Sequence, residues 1–246
     1  MKYTINISLA VLLWSFNPSL LFADDHSLPA FSAKYEVYLN GMHTGETERT
    51  FSRSDSNSNM YTYRSETRTT GLVALFHKDV IIEQSRMNYD QHKIRPVKYT
   101  YERTGGKKEK NIKVDFDWHN QKITNIVNET TMQFKLEPDI LDKLMYQYVI
   151  MQDIKNNRLP FSYPIVSGRK IKVYDFRILG EETIETPLGK FNTVKIERVR
   201  KDNDSEEKTY LWCAHKLNYL PVKLENIDED KDTTVAVIKA VTGFDY

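Results

Sequence analysis

The 246-residue chain is long enough for one large β domain or two small ones, and a chain of that size buries roughly 70% of its unfolded surface. Its 35 basic and 34 acidic residues nearly balance, which argues against a non-specific nucleic-acid binder, because that needs a basic excess or stripe. Cys213 is the only cysteine, so no internal disulfide forms and the fold rests on its core.

The N-terminus has the grammar of a cleavable secretion signal over residues 1–23. Met1-Lys2 gives a short positive start, Ile5 to Phe16 is largely apolar, and Pro18 interrupts it. Leu21-Phe22-Ala23 places a small residue before a cut, and Asp24-Asp25 opens a polar segment. The apolar run is shorter than the ~20 residues a membrane-spanning helix needs. Cleavage near Ala23 removes one lysine and no acid, leaving 34 residues of each sign. No cysteine stands at the boundary to take a lipid anchor. These features predict a periplasmic or secreted protein with no transmembrane helix in the mature chain, a single β-rich domain over residues 24–246.

Past the leader, apolar and polar residues alternate between turn signals, the pattern of half-buried strands, and fifteen Tyr and eleven Phe suit it. Tyr35, Val37 and Leu39 run into Asn40-Gly41, a strong hairpin signal, with Met42 to Phe51 returning. Strands follow at Tyr61 to Thr70 and at Asp79 to Tyr89, the latter after a corner at Gly71-Leu72. A second hairpin joins Val97–Tyr101 to Ile112–Trp118 through Gly105-Gly106. Lys122 to Val127 and Thr131 to Leu136 extend the sheet.

The period then changes. Ile140, Leu141, Leu144, Met145, Tyr148, Met151 and Ile154 predict an amphipathic helix over about 138–156, with Glu137 or Asp139 at its start and Asn156-Asn157 and Pro160 at its end. Strands resume after Pro164: a long run from Lys170 to Thr186, a turn at Pro187–Lys190, then Phe191–Val199, Tyr210–Trp212, Leu220–Ile227 and Thr233–Val241. The charged stretches Lys201–Lys208 and Asp228–Asp232 are loops. Ten to twelve antiparallel strands with one helix predict a mainly β fold: a strongly curved sheet or open β-barrel with the helix packed on its concave side.

Four segments carry a family resemblance: Tyr35–Met42 with Gly45-Glu46, Asp139–Leu144, Thr186–Lys195, and Trp212 followed by Leu220-Pro221-Val222. In this order they resemble the bacterial envelope family known as domain of unknown function 3108, from about Phe31 to Phe244. The resemblance implies a periplasmic or secreted antiparallel β protein and supplies no catalytic residues. The chain departs from the family pattern after the tryptophan, where it reads Cys213-Ala214-His215-Lys216 instead of reaching an acidic residue.

Motifs for chemistry are sparse. The six histidines are scattered and no cysteine pair exists, so neither helical nor structural zinc spacing is met. Asp202 begins an EF-hand-like series of oxygens, but Glu207 stands where glycine is needed and Cys213 where a glutamate is needed; the loop at Asp228 fails at Thr233 and Lys239. There is no G-x-S-x-G elbow and no phosphate loop. Cys213 and His215 share a face if the strand continues, though a small buried residue at a strand end is the simpler reading. Strands crowded with Lys98, Glu102, Lys108, Lys110, Lys113 and Arg177, and interrupted by a helix, do not suit a membrane-embedded barrel.

No catalytic, metal or cofactor site is predicted. The residues expected to line an apolar pocket, or to fill the core in its place, are Tyr35, Tyr99, Tyr101, Phe116, Trp118, Leu144, Tyr148, Tyr174, Phe176, Tyr210 and Trp212. With a pocket, the chain is a non-enzymatic periplasmic protein binding an apolar envelope molecule such as a lipid. With a filled core, it is an envelope scaffold or a module for a protein partner. A cell-wall hydrolase would need converging ionisable groups that no motif supplies.

Overall fold

A computed structural model describes residues 28–55, 59–76, 78–90, 93–106, 109–199 and 207–244. The secretion signal predicted over residues 1–23 and its expected cut near Ala23 lie outside the described residues, as does most of the Lys201–Lys208 loop.

Among the described residues, fifteen strands form one sheet. In chain order they are β1 (Phe31–Leu39), β2 (Met42–Arg53), β3 (Met60–Thr69), β4 (Val80–Asp90), β5 (Lys93–Thr104), β6 (Lys110–Asp117), β7 (Lys122–Val127), β8 (Thr130–Lys135), β9 (Leu141–Asp142), β10 (Phe161–Ser167), β11 (Lys170–Thr186), β12 (Gly189–Val199), β13 (Lys208–Ala214), β14 (Leu220–Ile227) and β15 (Thr233–Thr242). The single α-helix among the described residues, α1 (Met145–Lys155), lies between β9 and β10. The predicted strands recur with small shifts. Additional to them are β9 and the first half of β10, a segment that opens before Pro164.

The hairpin at Asn40-Gly41 forms as its residues dictate: both adopt positive φ, 50° and 80°, which a two-residue turn between twisted strands requires. The sheet order is β8-β7-β6-β5-β4-β3-β2-β1-β15-β14-β13-β12-β11-β10-β9. Every neighbouring pair is antiparallel except β9 with β10. The N- and C-terminal strands therefore lie side by side in mid-sheet, Tyr35 opposite Ile238. Register shifts in β1, β4, β11 and between β13 and β14 are bulges of the kind that deepen curvature.

The sheet curls around α1. Tyr148 stacks on Phe51 of β2, with centroids 4.1 Å apart, while Tyr146 stacks on Phe176 of β11 at 5.7 Å. Those two strands are far apart in sheet order, so a helix touching both sits inside the concavity. Its Met145, Tyr146, Tyr148, Ile150 and Met151 are all buried. This is the expected mainly β, open-barrel architecture with one enclosed helix.

The helix is shorter than the periodicity predicts. It starts at Met145, not near Pro138. Asp139 takes φ 61°, which breaks a helix, and Leu141-Asp142 pairs with Ile165-Val166. The start is fixed by Asp142, whose Oδ1 accepts from the N–H groups of Leu144 (2.9 Å) and Met145 (2.8 Å). Glu137 and Asp139 do not take that role.

Candidate functional site

The sheet's free edges are β8 and β9, joined in sequence by residues 136–140. Side chains bridge the seam between them. Asn125 of β7 donates to the Gly168 carbonyl at 2.5 Å, and Ser85 of β4 donates to Asp142 at 2.5 Å. Ile140, Leu141 and Leu144 bury here, so the connecting segment seals part of the gap with apolar groups.

Two adjoining clefts open along this seam. The first, about 590 Å³, lies between the C-terminal half of α1 and the β4–β5 corner. Its walls include Leu28, Tyr89, Ile94, Val149, Leu159 and Tyr163. The second, about 600 Å³, is walled by Trp118, Leu136 and Pro138. They share Lys93, Ile94 and Asp139. Lys155 and Arg158 add positive charge to the first, Arg95 and Lys135 to the second. Against these five cations stand Asp139, Asp153 and Glu137. Asp153 is already engaged, accepting from the Tyr163 hydroxyl at 2.8 Å, and burial raises its pKa. Trp118 is held at the cleft wall by its Nε1–H donating to the Pro96 carbonyl at 2.7 Å, with the Arg95 guanidinium 5.3 Å from its ring centre.

Within the barrel, polar groups gather at the start of α1. Tyr99 donates to Glu83 at 2.6 Å, and Arg49 donates to Gln147 of α1 at 2.7 Å while lying 5.3 Å from the Tyr35 ring centre. Asp142 is fully buried, and burial pushes its pKa up to about 6 against the three hydrogen bonds that favour its charged form; the charge on Glu83 adds to the rise. Tyr146 is pushed up to about 12 by the same burial. Sequence reasoning missed Arg49, Glu83, Ser85, Asp142 and Gln147 as interior residues. Arg49 was accessible to it, because it shares the inward phase of Thr47 and Phe51 on β2.

The family model described as Protein of unknown function (DUF3108) matches residues 34–238. The chain belongs to that family. No curated protein matches it by sequence. Among solved structures, this DUF3108 protein is similar to a β-barrel-like protein of domain of unknown function DUF1849 from Brucella abortus, with TM-score 0.56 and 10% identity over 89% of this chain and 99% of that one. It also matches a candidate lipoprotein from Parabacteroides distasonis ATCC 8503 at TM-score 0.36 and 9% identity, covering 87% of this chain and 96% of that one. The first of these likenesses concerns the fold alone.

The structure distributes the eleven predicted lining residues of this DUF3108 chain over three places. Tyr35, Tyr99, Phe116, Leu144, Tyr148, Tyr174 and Phe176 are buried in the core around α1. Tyr101 and Trp118 are half-buried at its margin, Trp118 in the second cleft. Tyr210 and Trp212 lie on the opposite face of β13, where Trp212 is nonetheless buried and Tyr210 half-buried. Trp212 sits between its register partners Lys195 and Lys223, whose ammonium groups lie 4.6 and 4.1 Å from the ring centre, and its indole N–H meets Glu182. The inward phase of β13 belongs to Leu211 and Cys213, so Tyr210 and Trp212 line no interior space.

Cys213 is fully buried, and burial drives its thiol pKa up, leaving it protonated. His215 has left the strand for a short 3-10 turn, where it lies 3.5 Å from Glu181 and packs on Tyr219. The Asp228 carboxylate is spent on its own turn, accepting from the N–H groups of Asp230 and Asp232. The Asp202 loop lies outside the described residues. Among the described residues, no helix is long and apolar enough to cross a membrane, and no three His, Cys, Asp or Glu side chains group around a metal position.

Proposed function

We propose that this DUF3108 protein is an exported, non-enzymatic envelope protein that holds an amphiphile in its seam clefts, with the apolar part against Ile94, Val149, Tyr163 and Trp118 and an anionic head near Lys93. One observation carries this reading: α1 occupies the concave face, so the open volume lies along the seam, where each cleft falls in the 300–1,000 Å³ range of small-molecule sites. Apolar walls give affinity by removing hydrocarbon from water, and the cations orient the head. The leader-like residues 1–23 support export, with cleavage near Ala23. The ligand therefore sits beside the helix, not between helix and sheet.

The test is organic extraction of the purified protein followed by lipid mass spectrometry, for wild type and for Ile94→Glu. Wild type should carry an acyl-chain molecule that the variant loses with its fold intact. Repeated absence of lipid, with no stability shift when lipid is added, sinks the reading. Amino-terminal sequencing of exported protein checks the cut.

A second reading, an envelope scaffold, draws on the filled centre of the barrel and on the free edge of β8, whose backbone groups can pair with an extended partner segment. Recovery of one specific partner that proline at Gln133 abolishes, with lipid absent, would favour it.

A further inference from the structure

We propose that the loop joining β3 to β4 is a membrane-docking element that inserts Leu72, Leu75 and Phe76 into the surface of a lipid bilayer. These side chains are 80%, 72% and 81% exposed, the three highest values for large hydrophobics among the described residues, and they fall within five consecutive positions. Scattered exposed hydrophobics are ordinary, but a concentrated apolar projection marks an interaction site.

The projection is built, not slack. Val73–Leu75 is a short 3-10 turn closed by Leu75 N–H to the Leu72 carbonyl (3.2 Å) and Phe76 N–H to the Val73 carbonyl (3.1 Å). Its base is tied to the sheet: Thr69 donates to the Asp79 carbonyl and Thr70 to the Thr44 carbonyl, each at 3.1 Å. A neighbouring tip at the same end of the barrel, the β1–β2 hairpin, presents Met42 at 63% exposure.

Charge selects a lipid surface over other occupants. From Thr67 to Lys78 the sequence contains no carboxylate; of its two cations Arg68 is ion-paired with Glu66, which leaves Lys78 as the cation at the loop. Lys78 is exposed with no carboxylate partner among the described residues, and the adjacent Asp79 is neutralised by Arg103 at 2.5 Å. Apolar residues beside an unpaired cation match acyl chains beneath anionic headgroups. A stable protein interface needs roughly 800 Å² per partner, a broad patch where this loop offers a narrow tip between polar strands. The acidic turn at Asp228–Asp232 lies beyond the β1–β2 hairpin, so the docking side is that of β3 and β4. The seam clefts lie at the opposite end, so this inference stands apart from the ligand reading.

Vesicle co-sedimentation tests it, using protein purified from expression of the full-length chain so that any contribution of residues 1–23 is common to all variants. Vesicles of phosphatidylethanolamine with phosphatidylglycerol, and of phosphatidylcholine alone, are compared. Wild type should bind the anionic vesicles, and the triple variant L72S/L75S/F76S should bind on the order of tenfold less or weaker, with an unchanged far-UV spectrum and urea midpoint. Lys78→Glu should lower binding to anionic vesicles and leave phosphatidylcholine binding alone. As an independent readout, Phe76→Trp emission in a Trp118→Phe/Trp212→Phe background should shift to the blue on adding vesicles. Equal binding by wild type and triple variant, an unshifted Phe76→Trp emission, or loss of self-association in the triple variant without any vesicle binding by wild type would each overturn the proposal.

Discussion

Ser85 and Asp142, 57 residues apart in sequence, meet through a 2.5 Å hydrogen bond that fastens β4 to the start of the enclosed helix. The same carboxylate caps the helix through Leu144 and Met145, so one buried group joins the sheet, the seam and α1. Its energetics set the first expectation.

Asp142 holds its proton more tightly in the folded protein, with a pKa of about 6 against an ordinary 3.8, because burial disfavours the charge. Folding therefore takes up a proton, and stability should rise as pH falls from about 7 to about 4, by about 2–3 kcal/mol from this group. Asp142→Asn keeps an oxygen for the two helix N–H groups and an amide for Ser85, so it should flatten that slope while remaining folded. Asp142→Ala should cost about 1–3 kcal/mol by orphaning buried donors. Urea midpoints across pH decide it; an identical slope in wild type and the Asn variant would refute the assignment.

Tyr148 lies flat on Phe51, the ring planes 8° apart, yet its buried hydroxyl has no hydrogen-bond partner. Tyr148→Phe should be neutral to stabilising, within about 1 kcal/mol. Tyr148→Ala, which empties the centre of the barrel, should cost about 3–5 kcal/mol. Urea unfolding of the two variants gives the comparison, and a large loss in the Phe variant would mean that the hydroxyl has a partner in solution.

Arg49 and Gln147 couple β2 to the helix through one charged hydrogen bond. A double-mutant cycle with Arg49→Met and Gln147→Ala should return a coupling of about 1 kcal/mol or more. Additive effects would show that Gln147 is not what holds Arg49 in place.

Trp118 lines the second cleft and Trp212 is buried between two lysines on the other face of the sheet, which gives the ligand reading an optical test. Adding a fatty acid or lysophospholipid should change the emission of wild type and of Trp212→Phe, and leave Trp118→Phe unresponsive. A response that disappears with Trp212 would place the ligand outside the seam.

Much of this architecture was legible in the residues. Asn40-Gly41 fixed a hairpin because both positions need positive φ, and the alternation from Lys170 to Thr186 marked one unbroken strand with Tyr174 and Phe176 inward. The early start given to the helix has a physical origin: Ile140, Leu141 and Leu144 are all buried, and both a helix face and a buried extended segment produce such a run. What separates them is the positive φ of Asp139 and the capping by Asp142, which only the folded chain reveals. Tyr210 and Trp212 were ambiguous because Leu211 and Cys213, on the other phase, are equally apolar, so β13 buries both faces. The seam clefts left no local trace, since Ile94, Trp118, Val149 and Tyr163 converge only when the two edges meet.

The pairing of β1 with β15 also governs how the molecule is assembled. Asn40 and Thr233, hydrogen-bonded across that junction, are 193 residues apart, so a nascent chain exposes one side of Phe31–Leu39 until almost everything else has been delivered. Closing so distant a contact is entropically costly and slow, and an open strand edge invites aggregation in the meantime. Escort by a holding chaperone is most needed before the last strand emerges. Linking Thr242 to Phe31 and opening the chain between β8 and β9 would give a circular permutant whose strands pair in simple succession, and it should refold faster than the natural order.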